Sequence, residues 1–232
     1  MPKGKIKKFN ELRSFSNVLQ PSLEEVLNTS YFLKGKWSRN FFKNNKPITL
    51  ELGCGKGEYT VALAKLYPER NFLGIDIKGA RIWKGAKIAM NECIENAGFL
   101  RSRIDFIESF FAPDEISEIF ITFPDPQPSK KKKRLTSSRF LNRYRKFLIH
   151  EGVIHLKTDN TELFRYTKIL AECNGLPIEF ATENLYNANC NDDILNIKTF
   201  YENIWLQAGL PIHYIRFRLY SDRSIIEPTD AD

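Results

Sequence analysis

The sequence predicts an α/β fold, with a mostly parallel, doubly wound sheet and helices on both faces, and three observations support this prediction. From Pro47 onward, short apolar runs that resemble buried strands alternate with stretches of helical spacing. The helical stretches are long enough for the right-handed crossovers that connect parallel strands. Glycines cluster after the first of these strands, where ligands approach such a sheet.

These patterns predict the elements in chain order. The seven predicted strands span residues 48–52, 72–76, 104–107, 118–123, 152–157, 177–182 and 212–219. The predicted helices span residues 59–66, 79–97, 137–148, 162–173 and 199–207. We expect the last two strands to close the sheet as an antiparallel, hairpin-like pair.

Length and charge limit the class of protein. A chain of 232 residues suits one sizeable domain. We predict a basic amino-terminal arm with a helical segment at residues 1–46, the main domain at 47–222 and a tail at 223–232. The net charge of +7 favours a polyanionic partner, because lysine and arginine neutralise phosphates, although excess lysine also serves solubility.

Other classes of protein are not indicated. No stretch reaches the roughly 18 apolar residues of a membrane span, and no apolar signal core follows the lysine-rich start, so we expect a cytoplasmic protein without a membrane partner. The four cysteines are scattered, with no Cys-x-x-Cys pair and no nearby histidine cluster, which indicates neither a disulfide framework nor a metal site. Monomer and homodimer both remain open.

The turn after the first strand carries a cofactor pattern. Gly53, Gly55 and Gly57 let a ligand approach the backbone, and their spacing is Gly-x-Gly-x-Gly rather than the Gly-x-Gly-x-x-Gly of dinucleotide sites. Glu51 is placed to orient an ammonium group, and Asp76, at the end of the second strand, to accept from ribose hydroxyls. A plain strand-to-helix turn is the alternative. The two acids favour S-adenosylmethionine.

A second pattern follows the fourth and fifth strands. Asp125 lies between two prolines, which restrict the backbone on both sides and give the carboxylate a fixed direction. The run of residues 126–134 is rich in lysine and is expected to form an exposed loop that binds phosphate. An acidic turn residue is the alternative for Asp125. Asp159, after the fifth strand, either caps the following helix or faces a substrate.

Four blocks, over about residues 50–219, resemble the bacterial tRNA (guanine-N7)-methyltransferase family. They are LELGCGKG at 50–57, FPDP at 123–126 with KRLT at 133–136, KTDN at 157–160 and TFYE at 199–202. The first block is shared by methyltransferases in general, and the other three together are specific. The resemblance implies a Rossmann-like methyltransferase fold and methyl transfer from S-adenosylmethionine to N7 of guanine 46 in the variable region of tRNA.

The resemblance also implies roles for single residues. Glu51 and Asp76, with the three loop glycines, would bind S-adenosylmethionine, and Asp125 would contact cofactor and substrate as the catalytic residue. Arg103 stands where many members of the family place an acid near the adenine. The implied substrate contacts are Asp159, Thr199, Phe200, Tyr201, Glu202 and either Ser129 or Lys130.

This chain departs from the family pattern in the loop after Asp125. The family usually has Asp-Pro-Trp-Pro-Lys, whereas residues 125–129 read Asp-Pro-Gln-Pro-Ser, with Lys130 one step later. Either Ser129 or Lys130 therefore holds the position of the family's substrate-contacting lysine, and the lost tryptophan removes a stacking surface.

Two rival functions share part of this pattern. A small-molecule methyltransferase would have the glycine loop but gives no reason for the lysine run or the basic arm. A non-catalytic RNA-binding relative would have the basic residues but gives no reason for Glu51, Asp76 and Asp125 together.

Overall fold

The computed structural model of the chain describes residues 3–27, 31–188 and 193–228. The chain divides into two compact units, Met1–Ile116 and Ser117–Asp232, which we call the amino-terminal unit and the carboxyl-terminal unit. The described residues form eight strands, so the predicted count of seven strands is wrong. Within the same ranges, no helix is both long and apolar enough to cross a membrane.

The amino-terminal unit contains four strands in the order β1-β4-β3-β2, and each neighbouring pair is parallel. Every residue of β2 and β3 is buried, as is typical of central strands in a parallel sheet. Its elements are α1 (Lys3–Leu12), β1 (Val18–Leu19), α2 (Leu23–Leu27), a π-helical turn (Trp37–Phe41), β2 (Ile48–Leu52), α3 (Glu58–Leu66), β3 (Asn71–Asp76), α4 (Gly79–Asn91), β4 (Ala97–Arg101) and a 3-10 helix (Ile104–Ser109).

Strand β1 is the strand that the sequence did not predict. It holds two residues, too few to show an alternating pattern, and its pairing of Val18 with Phe99 of β4 defines it. The described part of residues 1–46 is folded, because Leu12 and Trp37 are fully buried and Trp37 Nε1 donates to the Phe110 carbonyl at 2.8 Å. The domain boundaries at residues 46 and 222 stay a prediction.

The third predicted strand is misplaced. Residues 104–107 lie in the 3-10 helix, and the strand is β4, which the sequence assigned to the end of a helix and a loop. Helix α4 ends at Asn91, and Cys93 follows in the left-handed region with φ 53°. Ala97 and Gly98 have low strand propensity, so the local pattern did not indicate a strand, and the register against β3 decides the structure.

The carboxyl-terminal unit contains the other four strands in the order β5-β6-β8-β7. Strand β8 is antiparallel to both β6 and β7, which confirms the predicted antiparallel pair at the end of the chain. Its elements are β5 (Ile116–Thr122), a 3-10 helix (Lys131–Lys133), α5 (Ser138–Tyr144), β6 (Leu148–Thr158), α6 (Thr161–Cys173), β7 (Ile178–Thr182), α7 (Asp193–Asn196), α8 (Phe200–Gln207) and β8 (His213–Leu219).

Residues 223–228, which we call the C-terminal segment, are bound to the carboxyl-terminal unit by two asparagine side chains. Asn142 Oδ1 accepts from the Ile225 amide at 2.9 Å, and Asn142 Nδ2 donates to the Ile225 carbonyl at 2.7 Å. Asn174 makes the same pair of bonds with the backbone of Ile226. Ile225 is buried. The described part of the predicted tail, residues 223–228, therefore packs against the carboxyl-terminal unit.

Candidate active site

The glycine loop connects β2 to α3 and contains three glycines with positive φ. The φ angles are 78° at Gly53, 54° at Gly55 and 69° at Gly57, a region that residues with a side chain adopt rarely. A Cβ atom on Gly57 would lie 2.5 Å from the ring of Phe99, whereas one on Gly53 would meet no atom within 4 Å. Gly57 thus allows close packing, and Gly53 faces open space that a ligand can use.

Asp76 and Glu51 are bound to the chain around this loop. The Asp76 carboxylate accepts from the Gly55 amide at 3.0 Å and from the Lys78 amide at 2.7 Å. The Glu51 carboxylate, only 3% exposed, accepts from the amide of Thr60 at 2.9 Å and from its hydroxyl. The structure therefore brings both predicted acids and the glycine loop together.

This arrangement fits S-adenosylmethionine. Carboxylate oxygens have more than one lone pair, so an oxygen that accepts a backbone amide can also accept from a ribose hydroxyl or an ammonium group. The open space beside Gly53 leaves room for the ligand at the loop. Burial, together with the charges of Glu51 and Asp76, raises the pKa of the Cys54 thiol well above its usual range, so Cys54 is not a nucleophile at neutral pH.

Arg103, the predicted neighbour of the adenine, lies at the start of the 3-10 helix that follows β4. Its exposed guanidinium pairs with Asp105 at 3.3 Å. Within the described residues, it makes no hydrogen bond to the glycine loop or to Asp76. Arg101 lies nearer to Asp76 than Arg103 does. It is paired with Asp76 in the sheet register, and its side chain donates to the Ile77 carbonyl at 3.3 Å.

The segment around Asp125 follows β5 and has an unfavourable backbone. Phe123 and Gln127 both have φ 47°, which for residues other than glycine costs on the order of 1–3 kcal/mol each. The Phe123 amide donates to the Lys157 carbonyl at 2.8 Å, and the Gln127 amide donates to Asp125 Oδ1 at 3.1 Å. The Asp125 side chain is exposed. The segment thus presents this carboxylate to solvent from a constrained turn.

The lysine run beyond Asp125 is exposed, but its last member is not. Ser129, Lys130 and the short 3-10 helix 131–133 all lie on the surface. Arg134 was predicted to be exposed as well, and this is wrong, since only 1% of its surface is accessible. Its Nε donates to the Pro126 carbonyl at 3.0 Å, and it pairs with Glu162 at 2.5 Å. A run of like charges gave no signal that one of them is buried.

Asp159 does not cap helix α6. The cap is Asn160, whose Oδ1 accepts from the Leu163 amide at 2.7 Å. The capping role that the sequence left open for Asp159 is therefore wrong. Its side chain is partly exposed and follows directly on the buried end of β6.

The last predicted block begins helix α8 with a capping box. The Thr199 hydroxyl accepts from the Glu202 amide, and the Glu202 carboxylate accepts from the Thr199 amide, each at 3.2 Å. Glu202 is fully buried. Phe200 and Tyr201 belong to the same helix, and their side chains lie outside what the structure describes.

The buried carboxylate of Glu202 is held by two residues, Lys157 and Tyr186, for which the sequence predicted no such role. Lys157 Nζ lies 2.6 Å from Glu202 Oε1, and the Tyr186 hydroxyl donates to the same oxygen at 2.5 Å. Burial lowers the pKa of Lys157, and the charge of Glu202 opposes that shift. Lys157 Nζ also donates to the carbonyls of Leu195 and Ile197 at 3.1 Å. The sequence feature that could have indicated this role of Lys157 was its position near the end of an apolar strand.

Metal ligands are not gathered at these positions. Across the residues that the structure describes, no group of three or more His, Cys, Asp or Glu side chains could hold a metal ion.

Comparison with known proteins shows the family. A family model described as "Putative methyltransferase" matches residues 45–215. A tRNA (guanine-N(7)-)-methyltransferase of Bacteroides fragilis is 51% identical over 98% of this chain and 90% of its own length, and one of Porphyromonas gingivalis is 55% identical over 81% and 77%. A crystal structure of the 16S rRNA methyltransferase KamB, 13% identical, covers 75% of this chain and 88% of its own with a TM-score of 0.58. The chain thus has the Rossmann-like α/β fold of S-adenosylmethionine-dependent methyltransferases and belongs to the tRNA (guanine-N7)-methyltransferase family.

Proposed function

We propose that this chain transfers the methyl group of S-adenosylmethionine to N7 of a guanine in tRNA, and that the guanine is residue 46 of the variable region. The observation that supports this proposal is that about half of all positions are identical to those of tRNA (guanine-N(7)-)-methyltransferases over nearly the whole chain. The exposed Asp125, which follows β5, has a carboxylate that can take part in the methyl transfer.

The amino-terminal unit holds the cofactor in this proposal. S-adenosylmethionine supplies an electrophilic methyl group on a sulfonium centre. Glu51 orients the ammonium group, Asp76 accepts from the ribose hydroxyls, and the backbone at Gly53 and Gly55 lets the ligand approach closely. Arg103 is exposed beyond β4 and is our candidate for the rim of the adenine pocket.

Guanine N7 carries a lone pair in the plane of the ring, so it attacks the methyl group without first losing a proton. Strong general-base machinery is therefore unnecessary, and the residues act mainly by placing N7 in line with the methyl group. Positive charge develops on the purine during transfer, and the carboxylates of Asp125 and Asp159 favour it. One of these carboxylates can also accept from the N1 and N2 hydrogens of guanine in a paired geometry.

Thr199 and the start of α8 complete the base site in this proposal. Glu202 acts from inside, because its buried carboxylate is bound by Lys157 and Tyr186 and caps the helix on which Thr199, Phe200 and Tyr201 lie. A guanine that presents N7 and its pairing edge together must leave the tRNA stack, which favours a weakly stacked base of the variable region.

The exposed lysines bind the tRNA backbone, with Ser129 or Lys130 nearest to the target nucleotide. Replacing Lys130 to Lys133 with alanine is expected to weaken tRNA binding and to make its salt dependence shallower by about 3 units of slope, because fewer counterions are released. Filter binding at several salt concentrations measures this. An unchanged slope would refute the role of the loop.

One labelling experiment distinguishes the proposed function from its rivals. The protein is incubated with methyl-labelled S-adenosylmethionine and, separately, with bulk tRNA and with a pool of small metabolites. Label in tRNA supports the proposal, label in the metabolite pool supports a small-molecule enzyme, and no label supports a non-catalytic RNA-binding protein. A transcript with adenine at position 46 then tests the site, since it should accept no label.

We further propose that the enzyme acts in the cytoplasm, where its tRNA substrate resides, as a monomer or a homodimer. Light scattering of the purified protein with and without tRNA distinguishes these two states.

A further inference from the structure

Arg134 occupies a buried position between the Asp125 segment and helix α6. Its guanidinium has three neighbours, each of a different kind. Nε donates to the Pro126 carbonyl at 3.0 Å, Nη2 lies 2.5 Å from a carboxylate oxygen of Glu162, and the guanidinium carbon lies 4.6 Å from the centre of the Tyr166 ring. A buried guanidinium with an ion pair, a hydrogen bond and an aromatic face has a single preferred orientation.

The Tyr166 ring is itself held by the C-terminal segment. Its hydroxyl donates to Glu227 Oε1 at 2.5 Å, and Glu227 Oε2 accepts from the hydroxyl and the amide of Ser138 at 2.5 and 3.2 Å. Burial and the hydrogen bond to Glu227 raise the pKa of Tyr166 above its usual range, so its hydroxyl stays protonated and donates. A continuous set of contacts therefore runs from Glu227 through Tyr166 and Arg134 to Pro126.

The bond to Pro126 acts on the backbone that carries Asp125. Phe123 and Gln127, on either side of Asp125, both have positive φ, and such a backbone persists only where its surroundings hold it. The Phe123 amide bond to the Lys157 carbonyl holds one end. The other end is held by the Arg134 bond to the Pro126 carbonyl and, within the loop, by the Lys130 amide, which donates to the Gln127 carbonyl at 3.1 Å. The bond from the Gln127 amide to Asp125 lies inside the turn, so it does not attach the turn to the rest of the unit.

We propose that Arg134 is a positioning residue that fixes the direction of the Asp125 carboxylate through the Pro126 carbonyl, on a platform formed by Tyr166 and the C-terminal segment. It touches neither the base nor the cofactor in this role. The inference rests on the proposed function, because it assigns Asp125 to the methyl transfer. It also separates Arg134 from the four exposed lysines before it, whose role is to bind tRNA.

The first test compares Arg134→Met and Arg134→Lys with the unchanged protein. For Arg134→Met we expect kcat for tRNA methylation to fall roughly 10- to 100-fold, since a displaced reacting group can cost about that much. The tRNA dissociation constant and the KM for S-adenosylmethionine should change less than about 2-fold. Arg134→Lys should recover part of the activity, because lysine keeps the charge and one donor.

The platform supplies a second pair of variants. Tyr166→Phe keeps the ring beneath Arg134 and should keep most of kcat, whereas Tyr166→Leu removes the ring and should lower kcat as Arg134→Met does. Arg165→Met is the matched control on the same helix, because Arg165 is exposed and its ion pair with Glu183 is long, at 4.0 Å. It should leave kcat unchanged.

Amide hydrogen exchange of the five residues of 123–130 that are not proline gives a readout that needs no activity. In Arg134→Met these amides should exchange faster, while those of β6 stay protected. Unchanged exchange, or a loss of tRNA affinity with normal kcat, overturns the positioning role. If Arg134→Met does not fold, the same measurements on Arg134→Lys and Tyr166→Leu test the positioning role. If the unchanged protein fails to methylate tRNA, the proposed function fails, and the exchange data still decide the role of Arg134.

Discussion

The two units hold their candidate site residues in different ways. In the amino-terminal unit, backbone and carboxylates that are near in sequence bind each other, since Glu51 and Thr60 are 9 residues apart and Gly55 and Asp76 are 21 apart. In the carboxyl-terminal unit, Asp125 is exposed, and the buried side chains near it and near the start of α8 have partners that are distant in sequence. Tyr166 and Glu227 are 61 residues apart, and Lys157 and Leu195 are 38 apart. The candidate cofactor residues thus depend on local geometry, and the candidate base-site residues on long-range hydrogen bonds and on the ion pairs of Arg134 with Glu162 and of Lys157 with Glu202.

The largest expected effect is at Asp125. Asp125→Ala removes a carboxylate that favours the charge developing on the purine, so kcat should fall by about 100-fold or more, while the protein still folds and binds both tRNA and S-adenosylmethionine. Single-turnover methylation of tRNA measures this loss. The control is Asp222→Ala, an exposed acid in the same unit. Wild-type turnover in Asp125→Ala would remove Asp125 from the mechanism.

The buried pair of Lys157 and Glu202 tests whether the base side depends on long-range charge. Lys157→Met leaves a buried carboxylate without its cation, so the free energy of unfolding should fall by about 3–5 kcal/mol. The double variant that carries both Lys157→Met and Glu202→Gln should lose less unfolding free energy than the two single variants lose in sum. Arg165→Met, which breaks an exposed contact, should cost less than about 1 kcal/mol.

Urea unfolding of these variants provides the free energies. A loss for Lys157→Met no larger than that for Arg165→Met would contradict the comparison between the units.

The glycine loop gives a matched pair on the cofactor side. Gly57→Ala places a Cβ atom 2.5 Å from the Phe99 ring at a positive φ, so it should destabilise the fold by about 1–3 kcal/mol. Gly53→Ala has the same unfavourable φ but no neighbouring atom within 4 Å, so it should destabilise the fold less and weaken cofactor binding more. Thermal unfolding with and without S-adenosylmethionine separates the two effects. Equal stabilisation of both variants by the cofactor would argue against a ligand beside Gly53.

The same contrast explains what the sequence could predict. Strand β2 has the predicted bounds and β3 begins one residue earlier than predicted, because each is a short, mainly apolar run that can be recognised without knowing its partner strand. Strand β4 was missed because Ala97 and Gly98 carry little strand propensity and only the pairing with β3 fixes them. The glycine loop with its two acids could be predicted from spacing alone.

The support of the base side could not be predicted in this way. Arg134 follows four lysines that are exposed, and its burial depends on Tyr166 and Glu162, which lie on a helix 28 or more residues later. Lys157 likewise is recognised as a structural cation only once Glu202 and Tyr186 are beside it. Such residues are set by tertiary contacts, so a local pattern indicates at most that a charge stands where an apolar residue is expected.

The smallest expected effect is a pH dependence at His213. Burial lowers its pKa, while the nearby charges of Glu183 and Asp159 oppose that shift and Arg165 adds to it. Its ring packs against Phe164, with centroids 5.2 Å apart. The folded state therefore binds fewer protons than the unfolded state, so the stability from this residue is present above the unfolded pKa of about 6.5 and is lost as pH falls through the lower folded value.

Urea unfolding at pH 5.5 and 7.5 tests this sign. His213→Gln should make the free energy of unfolding depend less on pH over this interval. A steeper dependence in His213→Gln would mean that the charges of Glu183 and Asp159 outweigh burial. The carboxylates of Glu183 and Asp159 would then favour the protonated ring in the folded state.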